Sequence, residues 1–220
     1  MSIKVLHINC HPMYSDIGHS TVKLSNHGLA HLQSFDQFEL DILNLYEKDF
    51  FLPKVSDSMF AAWSKSESDL TEDEKNILKR QEFLVNQWIQ ADLVLIYSPL
   101  HNFNVTSGFK DYVDNILIAE RTFRYTENGS VGLLSDKKKV AYIQSSGGVY
   151  QQELKYISAD IAPHYVRTIL SMMGINKMHL IRIEGLDIKG IDKEKLIDHG
   201  KTEITNYINS SFETLKQLKG

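Results

Sequence analysis

Five short apolar runs rich in Val and Ile recur along the chain, at 3–8 (IKVLHI), 38–45 (FELDILNL), 93–97 (LVLIY), 140–144 (VAYIQ) and 178–183 (MHLIRI). Near-continuous apolar runs of this length are the mark of strands buried on both faces of a parallel sheet. Between them the apolar residues return every three or four positions, the period of a helix with one buried face. Helices are predicted over about 22–34, 72–90, 106–118, 157–173 and 192–218. Thr71 and Glu74, three apart, form a capping box in front of the second helix. The alternation predicts an α/β fold: a doubly wound, five-stranded parallel sheet with helices on both faces, in one domain spanning 1–220.

Two segments interrupt the alternation. TFRYTENGSVGLL, within an insertion at about 121–135, places aromatic residues on either side of Asn128-Gly129 and reads as a β-hairpin. It is either an ornament or a wall over a ligand site or a dimer arm. The stretch from Tyr46 to Leu70 is the longest irregular connection, and such loops are often functional.

In an open α/β sheet, ligands bind beyond the carboxyl ends of the strands where the strand order reverses. Three loops would meet there: 9–20, 98–105 and 145–150. In the first, Ser20 and Thr21 open a helix, whose unpaired N–H groups and dipole favour an anion. An ordinary N-cap at Ser20 accounts for the same residues. No G-x-G-x-x-G follows the first strand and no G-x-x-x-x-G-K-S/T occurs, which argues against a dinucleotide fold and a Walker loop. The middle loop, SPLHNFN, joins apolar and aromatic surface to main-chain donors and acceptors, a mixture suited to a planar heterocycle. The third, SSGGVY, has two glycines that allow close backbone approach.

Charge and composition narrow the partners. Lys and Arg total 24 against 28 Asp and Glu, for a net charge of -4 without a basic patch, so nucleic acid is a poor partner. Cys10 is the single cysteine, which rules out an internal disulfide and a thiolate cluster. No run approaches the ~20 apolar residues of a membrane span, and the short apolar start is not a signal peptide, so a cytoplasmic location is expected. His27 and His31 stand four apart but lack the Glu of H-E-x-x-H, so a solvated helix face is expected and no metal site. No triad or carboxylate pair supports a hydrolase.

Taken together, SPLHNFNV, FKDYVDNIL, TFRYTENGSVGLL and SSGGVY resemble the FMN-dependent NADH-azoreductases, flavodoxin-like quinone and azo reductases, in order and spacing over about residues 2–185. The resemblance implies a flavodoxin-like sheet in the order 2-1-3-4-5 with FMN bound at the switch point of strands one and three. The phosphate would lie at His11, Gly18, His19 and Ser20. The ring system would rest on Pro99, Leu100, His101, Asn102 and Phe103, with Ser145, Ser146, Gly147 and Gly148 on the other side. Phe123, Tyr125 and Tyr150 would border the substrate pocket, and the chain would form a homodimer. The implied reaction is ping-pong: NADH or NADPH reduces the flavin, which then reduces a quinone or azo compound. His101 is the one side chain that could hand a proton to the acceptor, a steric role being the alternative. A flavin-binding electron carrier or sensor without turnover is the rival function. The chain departs from the family's pattern at Gly18, where many members have Ser, at His101, where many carry Tyr or Trp, and at Ser146, where many have Arg.

Overall fold

The computed structural model describes residues 2–150 and 159–219. Its parallel sheet is formed by β1 (Ile3–Asn9), β2 (Phe38–Asn44), β3 (Leu93–Pro99), β6 (Lys139–Ser145) and β7 (Met178–Ile183), in the order β2-β1-β3-β6-β7. Counting the five parallel strands alone, this is the expected 2-1-3-4-5. The central strands β1, β3 and β6 are buried almost throughout, whereas β2 and β7 alternate between cover and solvent as edge strands do.

Each face of the sheet carries its own core. On one face Leu6, Ile8, Val94 and Tyr142 pack against Leu84 and Trp88 of α3 (Glu72–Gln90), Tyr112 of α4 (Ser107–Ile116) and Val166 of α5 (Ile161–Met172). On the other, Val5, Leu95 and Ile143 meet Leu24 of α1 (Ser20–Leu32) and Ile204 and Ile208 of α6 (Lys193–Lys219). The first residues of the helix expected from 157 lie outside the described residues. The capping box is present, with Thr71 accepting from the Glu74 N–H and Glu74 accepting from the Thr71 N–H.

Two expectations are corrected. The 46–70 connection is not irregular throughout: it holds α2 (Asp57–Ser64), capped by Ser56, and a short 3-10 turn at Glu67–Asp69. His27 and His31 do not form a plain solvated face either. They hydrogen-bond across to α6, at Thr205 (2.9 Å) and Asn209 (2.8 Å), residues that share their spacing of four and so line up along the two helices.

The hairpin consists of β4 (Phe123–Thr126) and β5 (Gly129–Gly132). α4 and α5 run back from the carboxyl ends of the strands, so the residues that follow them lie at the amino end of the sheet. There Leu133 donates to the Thr122 carbonyl and Leu134 to the Met173 carbonyl. The hairpin is therefore rooted at the end opposite the three ligand loops.

Candidate functional site

The three loops converge as the sheet order requires. Leu100 N–H donates to the Ser145 carbonyl (2.8 Å), Cys10 N–H to the Tyr97 carbonyl (2.8 Å) and Thr106 Oγ1 to the Cys10 carbonyl (3.1 Å). The Thr21 and Ser145 hydroxyls are 2.5 Å apart, tying the first turn of α1 to the end of β6. Between the loops lies a cavity of about 220 Å³, lined by His11, Gly18, His19, Ser20, Thr21, Pro99, Leu100, Ser145, Ser146, Gly147, Leu186, Asp187 and Lys193. A larger hollow of about 680 Å³ on α3, between Phe51 and Phe83, borders no strand end.

One end of the cavity suits an anion. The N-cap of α1 is His19, not Ser20, and among the described residues no side chain caps the helix. The first-turn N–H groups are thus left to a ligand or to water. Gly18 N–H bonds to Asp16 Oδ1 (2.8 Å), folding the loop so that the His11 and His19 rings stand 4.3 Å apart. His11 Nδ1 accepts the Met13 N–H (3.1 Å), leaving Nε2 as the ring's donor. Burial pushes the His11 imidazole below its ordinary value, and neighbouring His19 adds to this. Cys10 is fully buried and burial drives its thiol upward, so it is no nucleophile.

Next to Pro99 and Leu100, at the other end, stands a rim of exposed residues, 101–104. His101 and Asn104 exchange two main-chain hydrogen bonds of 2.9 Å, closing a tight turn whose central residues, Asn102 and Phe103, have φ of 47° and 65°. Asn tolerates this left-handed region, but for Phe it is an outlier that costs about 1–3 kcal/mol. Strain of that kind persists where a loop serves a purpose other than stability. Phe103 meets Tyr150 edge to face at 5.9 Å. After β6, the carbonyls of Ser146, Gly147 and Gly148 accept from Leu186, Asp187 and Gly185, each at 3.1 Å. A Cβ at Gly147 would lie 2.3 Å from the Asp187 carboxylate, so glycine is what admits that side chain to the corner.

A flavodoxin-like fold family model matches residues 3–208. The chain belongs to this flavodoxin-like family. It is 33% identical to an FMN-dependent NADH:quinone oxidoreductase 1 of Bacillus cereus, over 91% of this chain and 94% of the relative. An FMN-dependent NADH:quinone oxidoreductase of Streptococcus agalactiae is 34% identical, over 89% and 92%. Among solved structures, an FMN-dependent NADH-azoreductase from Bacillus anthracis in complex with FMN superposes with a TM-score of 0.85 at 31% identity, covering 94% of this chain and 97% of that one.

Within this flavodoxin-like chain the expected site residues divide into four groups. His11, Gly18, His19, Ser20, Pro99, Leu100, Ser145, Ser146 and Gly147 line the cavity. His101, Asn102 and Phe103 form its exposed rim, while Gly148 and Tyr150 follow in the adjoining loop rather than in the lining. Phe123 and Tyr125 do not line this chain's own cavity. Phe123 is buried and Tyr125 is 72% exposed, and both sit on the hairpin at the far end of the sheet. Sequence reasoning missed Leu186, Asp187 and Lys193. The signal was available, since the loop after β7 also leaves a carboxyl strand end next to β6. Among the described residues no group of three or more His, Cys, Asp and Glu could hold a metal ion, and no helix is long and apolar enough to cross a membrane.

Proposed function

We propose that the chain is an FMN-dependent NAD(P)H oxidoreductase that reduces quinones and azo compounds by a ping-pong sequence. One observation carries the reading: a helix start without a side-chain cap among the described residues, ringed by His11, His19 and Lys193, opens into the same cavity as the loops after β3 and β6. The donor set fits a phosphate, since N–H groups, a hydroxyl, imidazoles and an ammonium are all hydrogen-bond donors to an anion. The rim turn and the glycine pair fit a flat ring approached by main chain. Bound FMN would supply hydride acceptance and donation.

The chain's own residues would bind and orient. Ser20, Thr21 and His11 would hold the phosphate, Pro99 to Phe103 one side of the ring, and Ser145 to Gly148 the other. His101 stands exposed on the rim, where it could pass a proton to an acceptor or simply shape the entrance. With the rim open, donor and acceptor can use one space in turn, which supports the ping-pong order. The chain acts as one domain in this reading.

A homodimer is part of the same reading. The hairpin projects its exposed Tyr125 from the end of the sheet opposite the chain's own cavity, so it can border a flavin site only in a second copy.

Anaerobic titration separates this enzyme from an electron carrier or sensor. NADH is expected to bleach the flavin-loaded protein, and a quinone or an azo dye to restore its colour over repeated cycles. A flavin that NADH leaves oxidised would favour the carrier.

A further inference from the structure

We propose that Lys193 and His19 act with His11 as a proton-coupled clamp specific for the phosphate end of the flavin nucleotide, which makes the first turn of α6 part of the cofactor site. The inference rests on the reading that FMN occupies the cavity, and it adds residues from a corner of the fold that the three-loop scheme does not include.

Lys193 is the first residue of α6, where Asp192 already serves the cap by accepting the Lys195 N–H (3.1 Å). A cation at a helix N-terminus opposes the dipole, so the stability of α6 gives no reason for it. Its side chain instead lines the cavity together with Ser20 and His19. The ion pair it makes is to Asp187, at 4.0 Å, the outer limit for such a contact, and both side chains are substantially exposed. His19 is held in the same loose way, with Nε2 3.5 Å from Asp16 Oδ2. An ammonium and an imidazole thus stand at the cavity, each within 4.0 Å of a carboxylate and able to turn toward a stronger anion.

The two histidines have different parts. His11 Nδ1 is occupied by the Met13 N–H, so His11 remains neutral and donates through Nε2. The charged and titratable groups facing His19 are His11 and Asp16 from its own loop, and Lys193 and Asp187 from the β7–α6 corner. Among the described residues the β3 and β6 loops bring none to the cavity lining. A dianionic phosphate placed among these groups favours the protonated form of His19. Binding FMN therefore draws a proton from solvent onto His19, whereas riboflavin, which lacks the phosphate, draws none.

Calorimetric titration of the flavin-stripped protein near pH 7, in buffers of different ionisation enthalpy, tests this with FMN and riboflavin as probes. FMN is expected to bind with a net uptake of protons and riboflavin with none. Lys193→Gln should weaken FMN on the order of ten-fold, with Lys193→Arg recovering most of it and riboflavin affinity unchanged in both. His19→Phe, which keeps a ring beside His11, should abolish the proton uptake. FMN binding with no proton exchange, or with unchanged affinity in Lys193→Gln, overturns the clamp and leaves the cofactor reading intact. Failure of both flavins to bind overturns the two together.

Discussion

Replacing Ser20 with Asp is expected to weaken FMN binding about a thousand-fold while leaving the fold as stable as before or slightly more so. A carboxylate placed ~4 Å from a phosphate opposes it by about 4 kcal/mol at the effective dielectric of a protein surface. The same carboxylate in the first turn of α1, a helix with no acidic residue there and no side-chain cap, gains ~0.3–1 kcal/mol from the dipole. The two effects have opposite signs, so loss of flavin cannot be blamed on loss of fold. Fluorescence titration with FMN and thermal melting of the flavin-free protein read them separately. Unchanged FMN affinity would mean that the anion does not sit at the start of α1.

His7 is expected to govern acid sensitivity. It lies on β1, 1% exposed, with Nε2 2.8 Å from Ser25 Oγ and its ring against Tyr97, while Nδ1 has no partner among the described residues. Burial holds its imidazole down to about 3. An unfolded chain takes up the proton near 6.5, so the unfolded state binds more protons than the native state throughout the interval. The stability contributed by neutral His7 is whole above about pH 6.5 and is lost progressively as the pH falls toward 3, by up to about 4 kcal/mol. His7→Gln can keep the bond to Ser25 and does not titrate. Its unfolding free energy, measured by urea titration from pH 7 to pH 4, should fall less steeply than that of the unaltered protein. Parallel slopes would show that His7 is not the group responsible.

The architecture was legible because burial on both faces leaves an unbroken apolar run. β1, β3 and β6 announce themselves in this way, and the Asn128-Gly129 pair marks the hairpin turn. α2 escaped because eight residues with only Met59 and Ala62 buried carry too little periodicity to stand out from a loop. An N-cap at Ser20 was the alternative to its role as a phosphate ligand, since Ser prefers that position, whereas the structure gives the place to His19 and makes Ser20 the first helical residue. Side-chain chemistry does not reveal a one-residue shift of this kind. The His11–His19 pair and the Asp187–Lys193 corner depend on how loops fold back, through the Asx turn at Asp16 and the ladder between 146–148 and 185–187. Sequence spacing carries no trace of either. The hairpin's pattern was clear but its position was not: only the direction of α4 and α5 shows that it leaves from the end away from the cavity.

Addition of the purified, flavin-stripped chain to a fixed amount of FMN, followed by the quenching of flavin fluorescence, tests the central claim most directly. Quenching should saturate sharply at one FMN per chain, and the protein should release that FMN unaltered when denatured. Fluorescence that stays at the level of free FMN, however much protein is added, would contradict the account.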